Sequence, residues 1–255
     1  MPFFARYRRF PLQRRWIREI VHFGQSSHVV GGNCVINVAA ASKARAACAA
    51  RISWAAIMVR AFGVASHTWP QMRQCYLPFP WPHFYEHPHC NATIVTERHW
   101  RGGRAAFFDQ IIATERLTLV EIERALRALR NEPVESVGGY RRLIRFARLP
   151  TPLLRLVCHL IFRWSGRMRS RYFGTYSINR IPASRSTVMQ STTPITVNVY
   201  FGSVNQAKDM MIQILVDHRV VDGIDIGRIA ASVETIVNTQ IVAELGCIEP
   251  GVSLS

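Results

Sequence analysis

No uncharged apolar run reaches the roughly 18 residues that a membrane-crossing helix needs. The start, Met1 to Arg18, is basic and aromatic but has neither the long apolar stretch nor the small-residue cleavage site of a secretory signal, so a cytoplasmic location is expected, with peripheral membrane attachment as the variant. Cysteine is present without pattern: Cys34, Cys48, Cys75, Cys90, Cys158 and Cys247 contain no Cys-x-x-Cys pair, which argues against a disulfide framework and against a zinc centre. Acid is scarce. Sixteen Asp and Glu stand against 32 Lys and Arg, a formal net charge of +16 carried nearly all by arginine.

Such a field draws anions: nucleic acid, acidic lipid headgroups, an acidic carrier protein, or the phosphates of a coenzyme. Nothing in the arginine pattern gives sequence-specific nucleic-acid readout. At 255 residues with 49% apolar and 19% charged side chains, the chain can bury one sizeable core, and one domain is expected.

Residues 1–28 form a basic segment in which Arg6, Arg8, Arg9, Arg14, Arg15 and Arg18 interleave with Phe3, Phe4, Tyr7, Phe10, Trp16 and Ile20, and from Pro11 the spacing predicts an amphipathic helix. Val29 to Val38 reads as a strand and Ala39 to Ala50 as an alanine-rich helix. Ser53 caps a firmer helix over 54–68, stopped by Pro70. From Leu77 to Cys90, proline at alternate positions predicts an ordered loop without strand pairing. Its His83, His87, His89 and Cys90 have no second ligand cluster at useful spacing, so no metal is expected, and its aromatics are expected to line a pocket or a subunit contact.

Asn91 to Glu97 and Phe107 to Ile112 read as strands. Thr118 and Glu121 form a capping box opening a helix to Asn131. About 140–171, nine arginines surround the apolar run Leu153 to Phe162. This basic amphipathic stretch fits a packed helix with a solvated rim, a lid, an oligomer contact, a phosphate-binding wall or a membrane-surface foot. Ile195 to Phe201 and Met210 to Asp217 read as a hairpin through Gly202 to Asn205. A helix then runs from Asp222 to about Asn238, and 246–255 is tail.

The chain is organised around His218-Arg219-Val220-Val221-Asp222-Gly223. A strand-like run ends where these residues begin and a helical period starts where they end. A histidine at such a corner can be held by the sheet with its ring pointing into a cleft, the placement a general base needs, while the alternative on spacing alone is a structural histidine that ends a strand. Gly223 permits a sharp turn, and Asp222 could fix an arginine or the local loop.

Val216 to Gly223 resembles the active-site signature of the acyltransferase catalytic domain of 2-oxoacid dehydrogenase complexes, in the same superfamily as chloramphenicol acetyltransferase. Ile52 to Ala61 followed by Trp69-Pro70 is similar to the family's helix and proline stop, and Phe173-Gly174-Thr175-Tyr176-Ser177-Ile178-Asn179 to its oxyanion strand. The resemblance covers about 30–245. It implies a chloramphenicol acetyltransferase-like α/β two-layer sandwich with a mixed sheet, assembled as a trimer or as a larger assembly of trimers, with the catalytic domain over 29–245 and the active site in a channel between subunits.

It also implies that His218 takes a proton from a hydroxyl, amine or thiol acceptor, which attacks a thioester without an acyl-enzyme. The family's oxyanion serine falls on Asn179, with Ser177 the substitute in another register. Asp222 is the structural partner, and Arg219 lies in the corner or pairs with it. With no room for a lipoyl domain, a coenzyme A thioester or an acidic acyl carrier is the expected donor in place of a lipoyl arm. The competing readings are a catalytically weak trimeric scaffold, for which Asn179 speaks, and a basic membrane- or nucleic-acid-binding protein.

Overall fold

The computed structural model describes residues 11–25, 27–181, 193–249 and 251. The aromatic and arginine residues expected to act before Pro11 lie outside the described residues. The chain runs through α1 (Leu12–Gly24), β1 (Val29–Asn37), α2 (Ala39–Ala47), α3 (Trp54–Thr68), β2 (Gln74–Leu77), β3 (His83–Glu86), β4 (Ala92–Trp100) and β5 (Gly103–Ile111). It continues through α4 (Leu119–Asn131), α5 (Gly138–Arg148), α6 (Thr151–His159), a π-helical turn (Leu160–Trp164) and α7 (Gly166–Phe173). Then come β6 (Tyr176–Arg180), β7 (Val197–Val204), β8 (Asp209–Asp217), α8 (Gly223–Asn238) and α9 (Gln240–Gly246).

Local chemistry sets the main boundaries. Ser53 accepts a hydrogen bond from the Ala56 amide and so starts α3, while Pro70 closes the turn after it. The Thr118 and Glu121 capping box is formed on both sides. α3 is buried nearly all round, and fully burying a side chain such as Phe62 or Ile57 stabilises the fold by about 1.5–3 kcal/mol.

Six strands form one mixed sheet in the order β1-β8-β7-β6-β4-β5, with the β6 pairings to β4 and β7 parallel and the others antiparallel. α3, α4 and α8 cover one face over the main core, to which Tyr176, Ile178, Phe201, Ile212 and Ile214 point. A smaller cluster of Phe23, Leu154, Cys158, Ile161, Phe162, Phe173 and Ile195 covers part of the opposite face. α1 joins the two, because Trp16 belongs to the first and Phe23 to the second.

Four sequence expectations need correction. One is the hairpin connection: Gly202 to Val204 belong to β7, and the turn is made by Asn205 to Lys208, with the Asn205 amide donating to Asp209 O. Leu77 to Cys90 is not strand-free: β2 and β3 pair antiparallel. Pro78, Pro80 and Pro82 fall in the connection and Pro88 after β3, so no ladder donor is lost. The alanine-rich helix stops at Ala47, short of Ala50, and α9 adds a helix before the tail, anchored by buried Ile241 and Leu245.

Candidate functional site

The backbone fixes the corner after β8 before any side chain is considered. The Asp217 amide donates to Thr196 O (2.9 Å), the His218 amide to His28 O (2.7 Å), and the Val220 and Val221 amides to Asp217 O (2.9 and 3.1 Å). Asp222 is extended at the N-cap of α8. His218 stands open, its side chain 49% exposed, with Nδ1 3.3 Å from Val221 O and 3.7 Å from Asp222 Oδ1. A carbonyl only accepts, so Val221 favours the proton on Nδ1 and leaves the Nε2 lone pair outward.

Arg219 does not pair with Asp222. It binds Asp217 instead, Nε to Oδ1 at 2.8 Å and Nη2 to Oδ2 at 2.6 Å, and its guanidinium lies 4.5 Å from the Tyr76 ring centroid. The reason is placement: the Asp222 carboxylate is 73% exposed, whereas Asp217 is buried on the face where Arg219 lies. Arg169 joins this cluster, donating to Tyr76 O (2.9 Å) and Pro194 O. Burial lowers the Arg169 pKa, with Cys75 and Asp217 opposing that shift. Asp217 and Arg169 are the residues that sequence reasoning missed. For Asp217 the available signal was Arg219 two positions on at the end of an apolar strand; Arg169, on α7, gave none.

On β6, Ser177 and Asn179 share the face away from α3, as expected of alternate strand positions. Ser177 is buried and donates from Oγ to Asn198 Oδ1 (2.8 Å), and Asn198 Nδ2 donates to Ile195 O (3.1 Å). Asn179 is half-buried, and its Nδ2 donates to Ser177 Oγ (3.2 Å). An amide nitrogen carries two protons, so one stays available for a ligand. Gly174 lets the chain enter this strand close against β4: it has φ 71°, and a Cβ there would collide with Thr93 Oγ1 and Asn91 O.

Two cavities flank β6. On the Asn179 side, a chamber of about 410 Å³ is lined mainly by apolar groups, among them Ile20, Val95, Phe108, Phe173 and Ile195, with Ser177 and Asn179 at its wall. Toward α3 and α4, an open cleft of about 860 Å³ is lined by Arg45, Arg51, Arg127, Arg130 and Arg180 against Glu97 and Glu123. These arginines come from four separate stretches, so only the fold unites them. Among the described residues no group of three or more His, Cys, Asp or Glu could hold a metal. In the proline-rich segment, His89 instead pairs with Glu115 (3.0 Å).

The sheet does not bring His218 and Asn179 together. Asn179 pairs with Tyr200, and Tyr200 with Gln213, five positions before His218. That places them roughly 17 Å apart along the strands and about 10 Å across them, roughly 20 Å in all. Within one chain they cannot touch one substrate atom.

No protein-family profile and no curated protein matches the sequence. Solved structures do resemble it. A probable dihydrolipoamide acetyltransferase from Listeria monocytogenes is 12% identical, with TM-score 0.63 over 98% of this chain and 99% of that one. The Azotobacter vinelandii dihydrolipoamide acetyltransferase is 11% identical, with TM-score 0.61 over 94% and 95%. Chloramphenicol acetyltransferase is 13% identical, with TM-score 0.52 over 89% and 98%. The fold is therefore the chloramphenicol acetyltransferase-like sandwich of these acetyltransferase catalytic cores, as the sequence resemblance implied.

Proposed function

We propose that the protein is an acyltransferase that moves an acyl group from a thioester to a hydroxyl, amine or thiol acceptor at a site completed by a second copy of the chain. The observation that carries the reading is the His218 corner: a histidine locked through its backbone just after a strand inside the sheet, with its ring half exposed and no hydrogen bond to Nε2 among the described residues. In the Azotobacter vinelandii acetyltransferase, a serine, a histidine and an asparagine four residues beyond it were investigated for their catalytic role. His218 and Asp222 keep that spacing, and Asn179 takes the serine's place by resemblance.

In this mechanism Nε2 of His218 removes the acceptor proton as the acceptor attacks the thioester carbonyl. The tetrahedral oxyanion takes a hydrogen bond from the second Nδ2 proton of Asn179 of a neighbouring copy, an amide already oriented by Ser177. Collapse expels the thiolate, which recovers the proton from His218. Asp222 supports the imidazolium at a distance. A closed trimer meets the need for a His218 edge facing an Asn179 edge at every interface. The arginine-lined cleft suits the phosphates of a coenzyme A donor or an acidic acyl carrier, and the apolar chamber suits the carbon skeleton of an acyl group or acceptor.

The test is thiol release from a panel of acyl-CoAs with candidate amines and alcohols. Asn179→Ala is expected to lower kcat by about 10²–10³-fold, the usual effect of removing one oxyanion donor. Ser177→Ala, which leaves that donor in place, is expected to lose less. A larger loss for Ser177→Ala would transfer the oxyanion role to Ser177.

A further inference from the structure

From Ser136 to Lys208 the sequence contains no Asp or Glu, and this acid-free stretch includes α5, α6, the π-helical turn and α7. Within it α6 differs from its neighbours. α4 and α5 turn charged residues outward, such as Arg124 on the first and Arg141 and Arg145 on the second. α6 and the π-helical turn bury Leu154, Cys158, Ile161 and Phe162, yet present Leu153, Leu156, Leu160 and Trp164 to solvent. Their spacing of three and four residues keeps the exposed four on one side. A helix apolar on both sides is covered by something on each of them.

The exposed stripe continues onto the connection between β2 and β3. Phe79 packs on Trp164 with ring centroids 4.0 Å apart, and Trp81 beyond it is 68% exposed. The segment from α6 to α7 carries exposed Arg155, Arg163, Arg167 and Arg171. Arg155 is paired with Glu19 (3.3 Å), whereas Arg163, Arg167 and Arg171 have no ion-pair partner among the described residues.

We propose that this face docks on an anionic lipid bilayer, with the α6 stripe and the two tryptophans seated at the headgroup level and the arginines bound to lipid phosphates. The charge argues for an acidic occupant. The combination of aliphatic ridge, exposed tryptophan and arginine in the same segment is that of an interfacial helix: apolar side chains enter the acyl boundary, indole rings sit at the interface, and long basic side chains reach back to the headgroups. Neither His218 nor Asn179 belongs to the patch, although Arg163 and Pro78 line a cavity of about 180 Å³ together with Arg219 and Arg169, so the docking face borders the His218 corner. Flotation reads docking without reference to turnover.

The test is flotation of the full chain with vesicles of phosphatidylcholine alone and of phosphatidylcholine with phosphatidylglycerol, alongside sedimentation to fix the oligomeric state. Both substitutions in Leu156→Glu/Trp164→Glu are at exposed positions, so folding is expected to persist and is checked by Tm. The wild type is expected to float with the anionic vesicles, weakly with the neutral ones, and less as salt rises. The double variant is expected to lose at least ~10-fold in vesicle affinity at unchanged oligomeric state. Equal flotation of the double variant overturns the proposal, as does failure of the wild type to float. A change of oligomeric state in the variant also overturns it, because the patch would then be a contact between copies.

Discussion

Refolding His218→Ala and Asn179→Ala chains together in equal amounts is expected to restore about a quarter of the wild-type sites, although each variant alone is nearly inactive. The expectation follows from the sheet register. His218 and Asn179 are separated by two strand spacings and five positions, so a site needing both draws them from different chains. In a randomly mixed closed trimer, an interface is intact when its histidine side comes from an Asn179→Ala chain and its asparagine side from a His218→Ala chain. Each condition is met half of the time. Recovery is read as thiol release per chain after refolding, against each variant refolded alone. No recovery, with assembly verified by sedimentation, would contradict a site that combines His218 of one chain with Asn179 of another.

Asp217→Asn is expected to destabilise the protein by about 3 kcal/mol, lowering Tm by roughly 10 °C, while Asp222→Asn leaves Tm nearly unchanged. The two carboxylates lie five residues apart and differ in burial. Asp217 is 2% exposed, holds the Arg219 guanidinium through two hydrogen bonds and its amide through a third, and is the carboxylate that opposes the burial shift of Arg169. Removing its charge leaves one guanidinium half-satisfied and a second fully buried beside it. Asp222 is 73% exposed, where a surface ion pair contributes little. Thermal unfolding of both variants checks the contrast, and equal shifts would contradict it.

Local signals were legible where one short segment carries its own reason to stop or turn. Ser53 and Pro70 bound α3, the Thr118 capping box opens α4, and the alternation ending at Asp217 placed His218 at a strand-to-helix corner. The resemblance supplied the sandwich. β3 was hidden because prolines on both sides of a four-residue strand read as interruption, although none lies within it. The Asp217, Arg219 and Arg169 cluster joins β8 to α7, and the arginine-lined cleft joins residues from α2 to β6. Such long-range meetings have no periodicity to read. The wide separation of His218 and Asn179 is a register fact that becomes visible only once β6, β7 and β8 are aligned.

General-base catalysis at His218 is tested most directly by thiol release from acyl-CoAs by the wild type and by His218→Ala. The side chain is half exposed at a backbone-fixed corner, so the substitution is expected to leave Tm unchanged while lowering the rate by about 10²–10⁴-fold, the range of a lost general base. A folded His218→Ala protein that releases thiol at the wild-type rate would contradict the account, and so would a wild type that releases none from any donor.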